Sequence, residues 1–144
     1  MAPARADSTR PAKGRVLIVD DHKDMRDLLK AILEANYHVA EADSGAALRQ
    51  ALDREQPDVV LLDMRLSDAN GLGLLPAIKD RWPRTEVIVM SGVPLEDETA
   101  SWAVEATKGG AFGVLSKSAA FDFQKLLAGV SNALARRHKT QPAI

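Results

Sequence analysis

The feature that most constrains this chain is a set of short, unbroken apolar runs set between segments of helical periodicity. Val16 to Val19, Val59 to Leu62 and Glu86 to Met90 are too short for helices and rich in β-branched residues. Such runs suit strands buried on both faces, as in a parallel sheet covered by helices. Tyr37 to Ala42 is a weaker strand, expected nearer an edge, and Phe112 to Ser116 is the last of five.

The intervening segments carry helical stripes. Met25, Leu28, Leu29, Ile32 and Leu33 recur on one face of an otherwise charged stretch. Ser44 is placed to cap a second helix through Arg54, with Ala47, Leu48, Ala51 and Leu52 inward. Gly71 to Asp80 forms a short third helix, and Pro83 stops the chain after it. Glu98 to Lys108 forms a fourth, ended by Gly109 and Gly110. The fifth is expected to start near Ser118 or Ala119 and to turn Phe123, Leu126, Leu127, Val130 and Leu134 inward. It ends near Arg136, Arg137 and His138, where cations suit the helix dipole. Strands alternating with helices at this spacing make right-handed βαβ units and one α/β domain.

Domain limits follow from composition. Residues 1–14, rich in Ala, Pro, Arg and Ser, form an expected disordered leader without the apolar centre of a secretory signal. Residues 15–137 are the folded domain, and residues 138–144 a short tail. No further folded segment is expected after the last helix. The apolar runs are too short to span a bilayer, so no membrane contact is expected. A net charge of −1 argues against direct nucleic-acid binding. The absence of cysteine excludes disulfides, thiolate metal sites and a Cys nucleophile. A cytoplasmic location is the expectation.

Ligands of open α/β sheets bind beyond the carboxyl ends of the strands. Asp20 and Asp21 follow the first strand, and Asp63 ends the third. Ser91 follows the fourth, and Lys117 the fifth. Apolar packing needs no such set. At about 4 Å and an effective dielectric near 20, each pair of carboxylates costs on the order of 4 kcal/mol. Protonation or a bound cation must relieve this. Oxygen donors at this density favour Mg²⁺, while Lys117 offers a compact charge and Ser91 a neutral donor to a phosphate. The combination points to phosphoryl transfer onto a carboxylate.

The motifs V-L-I-V-D-D-H (16–22), V-V-L-L-D-M-R-L (59–66), V-I-V-M-S-G (87–92) and L-S-K (115–117) occur in order, with N-G-L (70–72) and K-G-G-A-F (108–112) between them. Together they resemble the receiver domains of bacterial response regulators over roughly residues 15–137. That resemblance implies a flavodoxin-like, doubly wound five-stranded parallel sheet, strand order 2-1-3-4-5, with five helices. It implies a two-component phosphorelay switch in which Asp63 accepts a phosphoryl group from phosphohistidine, becoming an aspartyl phosphate. Mg²⁺ would be held by Asp20, Asp21, Asp63 and the backbone carbonyl of Arg65, with Ser91 and Lys117 on phosphoryl oxygens. The implied partners are a histidine kinase or histidine phosphotransfer protein and a downstream target or output domain. A homodimer through the fourth and fifth helices belongs to the same implication. The only catalysis implied is of the domain's own phosphorylation and dephosphorylation.

Several positions depart from the family pattern. Ser67 and Ser118 stand where proline is common, and Val114 stands where an aromatic ring usually turns inward on activation. A trans bond before Ser118 is expected, because a non-proline cis bond costs about 3 kcal/mol. The stretch from Ser91 to Lys117 is a few residues longer than the resemblance leads one to expect, with the excess placed in 93–100. These departures predict retained chemistry with an altered readout, through that loop and the fourth helix.

Other features read more plainly. His22, His38 and His138 form no metal or catalytic pattern and receive no role. Trp102 is either a partner-facing aromatic or a packing residue. Arg136, Arg137 and Lys139 are taken as helix termination, and Gly71 and Gly73 lack the spacing of a phosphate loop. Two competing functions stay open. One is a receiver-like interaction module that is never phosphorylated. The other is a phosphatase of the haloacid-dehalogenase type, although its nucleophile would lie on the first strand and this chain lacks length for a cap domain.

Overall fold

The computed structural model describes residues 14–92, 100–117 and 122–139. Its strands are β1 (Arg15–Val19), β2 (His38–Ala42), β3 (Val59–Asp63), β4 (Glu86–Ser91) and β5 (Gly113–Ser116). The helices are α1 (Lys23–Leu33), α2 (Gly45–Glu55), α3 (Gly71–Arg81), α4 (Ala100–Lys108) and α5 (Phe123–Lys139). The strands form one parallel sheet in the order β2-β1-β3-β4-β5. Fold class and strand order are therefore as the resemblance implies.

Side chains alternate across each strand, so the sheet has two apolar faces. Leu17, Val19, Val60, Leu62, Val87 and Val89 pack with α2, α3 and α4 through Leu48, Leu52, Leu74, Leu75 and Ala106. Val16, Ile18, Val59, Leu61, Ile88 and Met90 pack with α1 and α5 through Leu29, Leu33, Leu126 and Val130. Every residue of β3 and β4 is buried. Between their polar end residues, Val59–Leu62 and Val87–Met90 are apolar because neither face meets water. β2, at one edge, is only partly buried, as its weaker pattern indicated.

Helix ends follow local chemistry. The Ser44 hydroxyl accepts from the Ala47 amide at 3.1 Å, the expected cap of α2. Asn70, whose side chain accepts from Leu72 N at 2.8 Å, caps α3 in the same way. Past α4, Gly110 takes φ +106°, a conformation that disfavours any side chain.

Three expectations require correction. Leu28 is 40 % exposed, so the inner stripe of α1 is narrower than the apolar pattern. Phe123 is 46 % exposed rather than inward. α5 begins at Phe123, not near Ser118, because Asp122 caps it by accepting from the amides of Gln124 and Lys125. Trp102 is a packing residue on the α2–α3–α4 face. Residues 1–13 of the expected leader, residues 93–99 of the 93–100 loop, the bond before Ser118 and residues 140–144 of the expected tail lie outside the described residues, while α5 runs to Lys139, past the expected domain limit at 137.

Candidate functional site

Parallel pairing aligns the carboxyl ends of β1, β3 and β4, and the loops that follow them share one rim. Asp63 is the last residue of β3, opposite Met90, and Ser91 is the next residue of β4. The Lys117 amide donates to the Ser91 carbonyl at 2.6 Å, which carries the turn after β5 to the same rim. Asp20 follows β1, with its own amide donating to the Ala42 carbonyl at 3.1 Å.

The side chains converge as this backbone arrangement demands. Lys117 Nζ lies 2.7 Å from Asp20 Oδ2 and 3.2 Å from Asp63 Oδ1. Asp20, Asp21, His22 and Asp63 each offer one donor atom, all within 4.8 Å of one another. Asp20, Asp63 and Ser91 are buried, whereas Asp21 is half-buried and the His22 ring is largely exposed. Arg65 keeps its side chain outside, and its amide approaches Asp63 Oδ1 at 3.5 Å. Val114 lies apart from the cluster, partly buried against the α2–α3–α4 face.

Electrostatics set the state of Asp63. Burial pushes its carboxyl above the ordinary value of 3.8, and the nearby Asp20 charge adds to the shift. Lys117 and the Arg65 amide oppose it. Asp20 and Asp63 thus share one lysine with Asp21 beside them, so the rim is short of positive charge.

The scaffold holds this cluster tightly. An added Cβ at Gly71 would stand 2.5 Å from the Asp63 carbonyl, and the Gly71 amide donates to the Met64 carbonyl at 2.6 Å. α3 therefore starts pressed against the end of β3. Arg26 Nη1 donates to the Asp20 carbonyl at 2.8 Å, fixing the turn after β1. Asp68 reaches from the loop after β3 to accept from the amides of Gly45 and Ala46 at 2.8 and 3.2 Å. Those bonds hold the Asp68 carboxyl below its ordinary value. Sequence reasoning missed Arg26, Asp68 and His22. Only the Asn70 cap had a readable signal, an Asn directly before a helix.

The response regulator receiver domain model matches residues 16–131, most of the chain. The chain belongs to this family. Curated relatives of this receiver domain include the DNA-binding transcriptional regulator NtrC of Proteus hauseri, 36 % identical over 132 residues. That match covers 90 % of this chain and 27 % of the relative. The response regulator protein PilR of Pseudomonas aeruginosa is 35 % identical over 128 residues, covering 88 % and 27 % of the two chains. The receiver domain spans about a quarter of the length of these curated relatives. Among solved structures, NtrX of Brucella abortus superposes with a TM-score of 0.79 at 28 % identity, over 88 % of this chain and 28 % of that one. A response regulator receiver domain protein of Clostridium thermocellum gives 0.78 at 28 % identity, over 89 % and 99 %. Membership makes the chain a signalling module and leaves the haloacid-dehalogenase reading without support. Among the described residues, no helix is long and apolar enough to cross a membrane.

Proposed function

We propose that this receiver domain takes a phosphoryl group onto Asp63 in a Mg²⁺-dependent reaction and thereby switches its binding to a partner. The observation that carries the reading is a buried carboxylate clasped by Lys117 at 3.2 Å beside two further aspartates. Asp21 Oδ1, buried with no hydrogen-bond partner among the described residues, fits a cation site. Asp20, Asp21, Asp63 and the Arg65 carbonyl would hold Mg²⁺, which when bound neutralises charge on the transferred group.

The protein's own groups account for the remainder. An Asp63 oxygen forms the new O–P bond as the N–P bond of a donor phosphohistidine breaks. The departing imidazole keeps the electron pair and takes a proton from solvent. Lys117, already between Asp20 and Asp63, pairs with a phosphoryl oxygen, and the Ser91 hydroxyl donates to another. Lys117 also favours the ionised, nucleophilic form of Asp63 against the effect of burial. The donor is a histidine kinase or histidine phosphotransfer protein, the receiver is cytoplasmic, and the output is a downstream protein or domain. Exposed Val104 on α4 and Phe123 on α5 suit a homodimer through those helices.

Val114 has no ring to turn, so the signal passes through 93–99 into α4, where Trp102 is buried. Beryllofluoride titrated with Mg²⁺ tests the proposal. Saturable quenching or enhancement of Trp fluorescence, abolished by chelation, is expected, with altered hydrogen exchange over 93–109. A chain that ignores beryllofluoride would instead be an unphosphorylated interaction module.

A further inference from the structure

His22 has no role in the family's motifs, yet one of its ring nitrogens stands at the edge of the acidic cluster. His22 Nδ1 lies 3.0 Å from Asp21 Oδ1 and 3.3 Å from Asp20 Oδ1. The 3.0 Å approach is an ion-pair distance without a hydrogen bond, and the buried Asp21 oxygen has no hydrogen-bond partner among the described residues. The same Nδ1 is also at hydrogen-bond distance from Asp20 Oδ1, 3.3 Å, so one ring nitrogen faces oxygens of both aspartates, as a ligand sharing an ion with them would. With metal bonds of about 2.1 Å, cis ligands stand about 3 Å apart and trans ligands about 4.2 Å apart. The four donor atoms, all within 4.8 Å, need to contract by only about half an ångström to meet that geometry.

Local backbone explains why the ring is there. His22 takes the extended N-cap conformation of α1, φ −101° and ψ 116°, and its side chain makes no capping bond. Its amide donates to Asp20 Oδ1 at 2.9 Å, which ties the residue to the first aspartate of the cluster. The ring is 74 % exposed, so it can meet an ion from the solvent side without burying a polar group. With the proton on Nδ1 the ring donates to Asp20 Oδ1, and with the proton on Nε2 the Nδ1 lone pair is free to meet an ion held among the carboxylates.

We propose that His22 adds an imidazole nitrogen to the oxygen donors of this site, biasing it toward borderline divalent ions such as Co²⁺ and Zn²⁺ relative to Mg²⁺. The inference rests on the cation site proposed above. Nitrogen donors favour the later first-row ions, whereas Mg²⁺ is served by oxygen and water. His22 therefore alters which ion readies Asp63.

Isothermal titration of the whole chain with CoCl₂ and separately with MgCl₂, for wild type and His22→Ala, provides the test. The ratio of Co²⁺ to Mg²⁺ affinity is expected to fall on the order of tenfold in the variant. Pulsed paramagnetic resonance of the Mn²⁺-loaded wild type is expected to show a nitrogen coupling that His22→Ala removes. An unchanged ratio, or a coupling that survives the substitution, overturns the assignment. If the wild type still takes up Mg²⁺ and beryllofluoride in that case, only the His22 assignment falls. A wild-type chain that binds neither cation overturns both. His22 carries no cap bond, so the variant is expected to fold.

Discussion

The two ends of this sheet both bury carboxylates, but they balance them differently. At the amino end, Glu86 is buried with Lys79 Nζ at 3.6 Å and Arg136 Nε at 3.4 Å. Asp58 is fully buried there and accepts the Arg15 amide at 2.8 Å. Lys79 also donates to the carbonyls of Pro83 and Thr85, so that end is closed by the chain itself. At the carboxyl end, Asp20 and Asp63 share Lys117, and Asp21 beside them has a buried oxygen with no hydrogen-bond partner among the described residues. Similar residue types serve structure where charges match and suit the proposed chemistry where they do not. Counting charges, rather than finding buried acids, is what separates the two.

The largest effect is expected at the amino end. Lys79→Ala removes one of two cations from buried Glu86 and two carbonyl bonds, and is expected to cost about 3 kcal/mol. Urea unfolding checks it through the transition midpoint. A shift near zero would mean that the amino end is no more closed than the other.

Gly71→Ala probes the scaffold beneath the site. The new methyl meets the Asp63 carbonyl and the Met64 backbone, so a loss of about 2 kcal/mol is expected. A loss of beryllofluoride response at temperatures where the variant remains folded should accompany it. Unaltered stability would show that α3 can back away from β3 freely.

Asp63→Asn should do the opposite of Lys79→Ala. Burial and Asp20 raise the Asp63 pKa, so the folded state binds its proton more tightly than the unfolded chain. Stability from this group is present below the ordinary value of 3.8 and is lost as pH rises through the raised value. The neutral variant escapes that loss. In chelator at neutral pH its melting temperature is expected to exceed the wild type's, at about 4 °C per kcal/mol for a domain of this size. The difference is expected to vanish in acid. A less stable variant at neutral pH would mean that Lys117 already balances the rim.

Legibility in the sequence followed the physics that sets each feature. β1, β3 and β4 were readable because burial on both faces leaves an unbroken apolar run. Asp20, Asp63, Ser91 and Lys117 were readable because strand ends in a parallel sheet share one rim. The order of the strands came from the family motifs, since alternation alone does not fix which strands are neighbours. Leu28 and Phe123 were misread because a stripe marks a helix face without fixing how wide the buried part is. His22 was invisible because its contact depends on the turn after β1, not on residue spacing. Asp68 was equally hidden, since it caps a helix from a distant loop.

Every role proposed for the rim requires Asp63 to be the group that is modified. Intact mass after incubation with acetyl phosphate and Mg²⁺ tests this directly. One added phosphoryl group on the wild type, and none on Asp63→Asn, is the predicted result. No addition to the wild type, or equal addition to the variant, would contradict it.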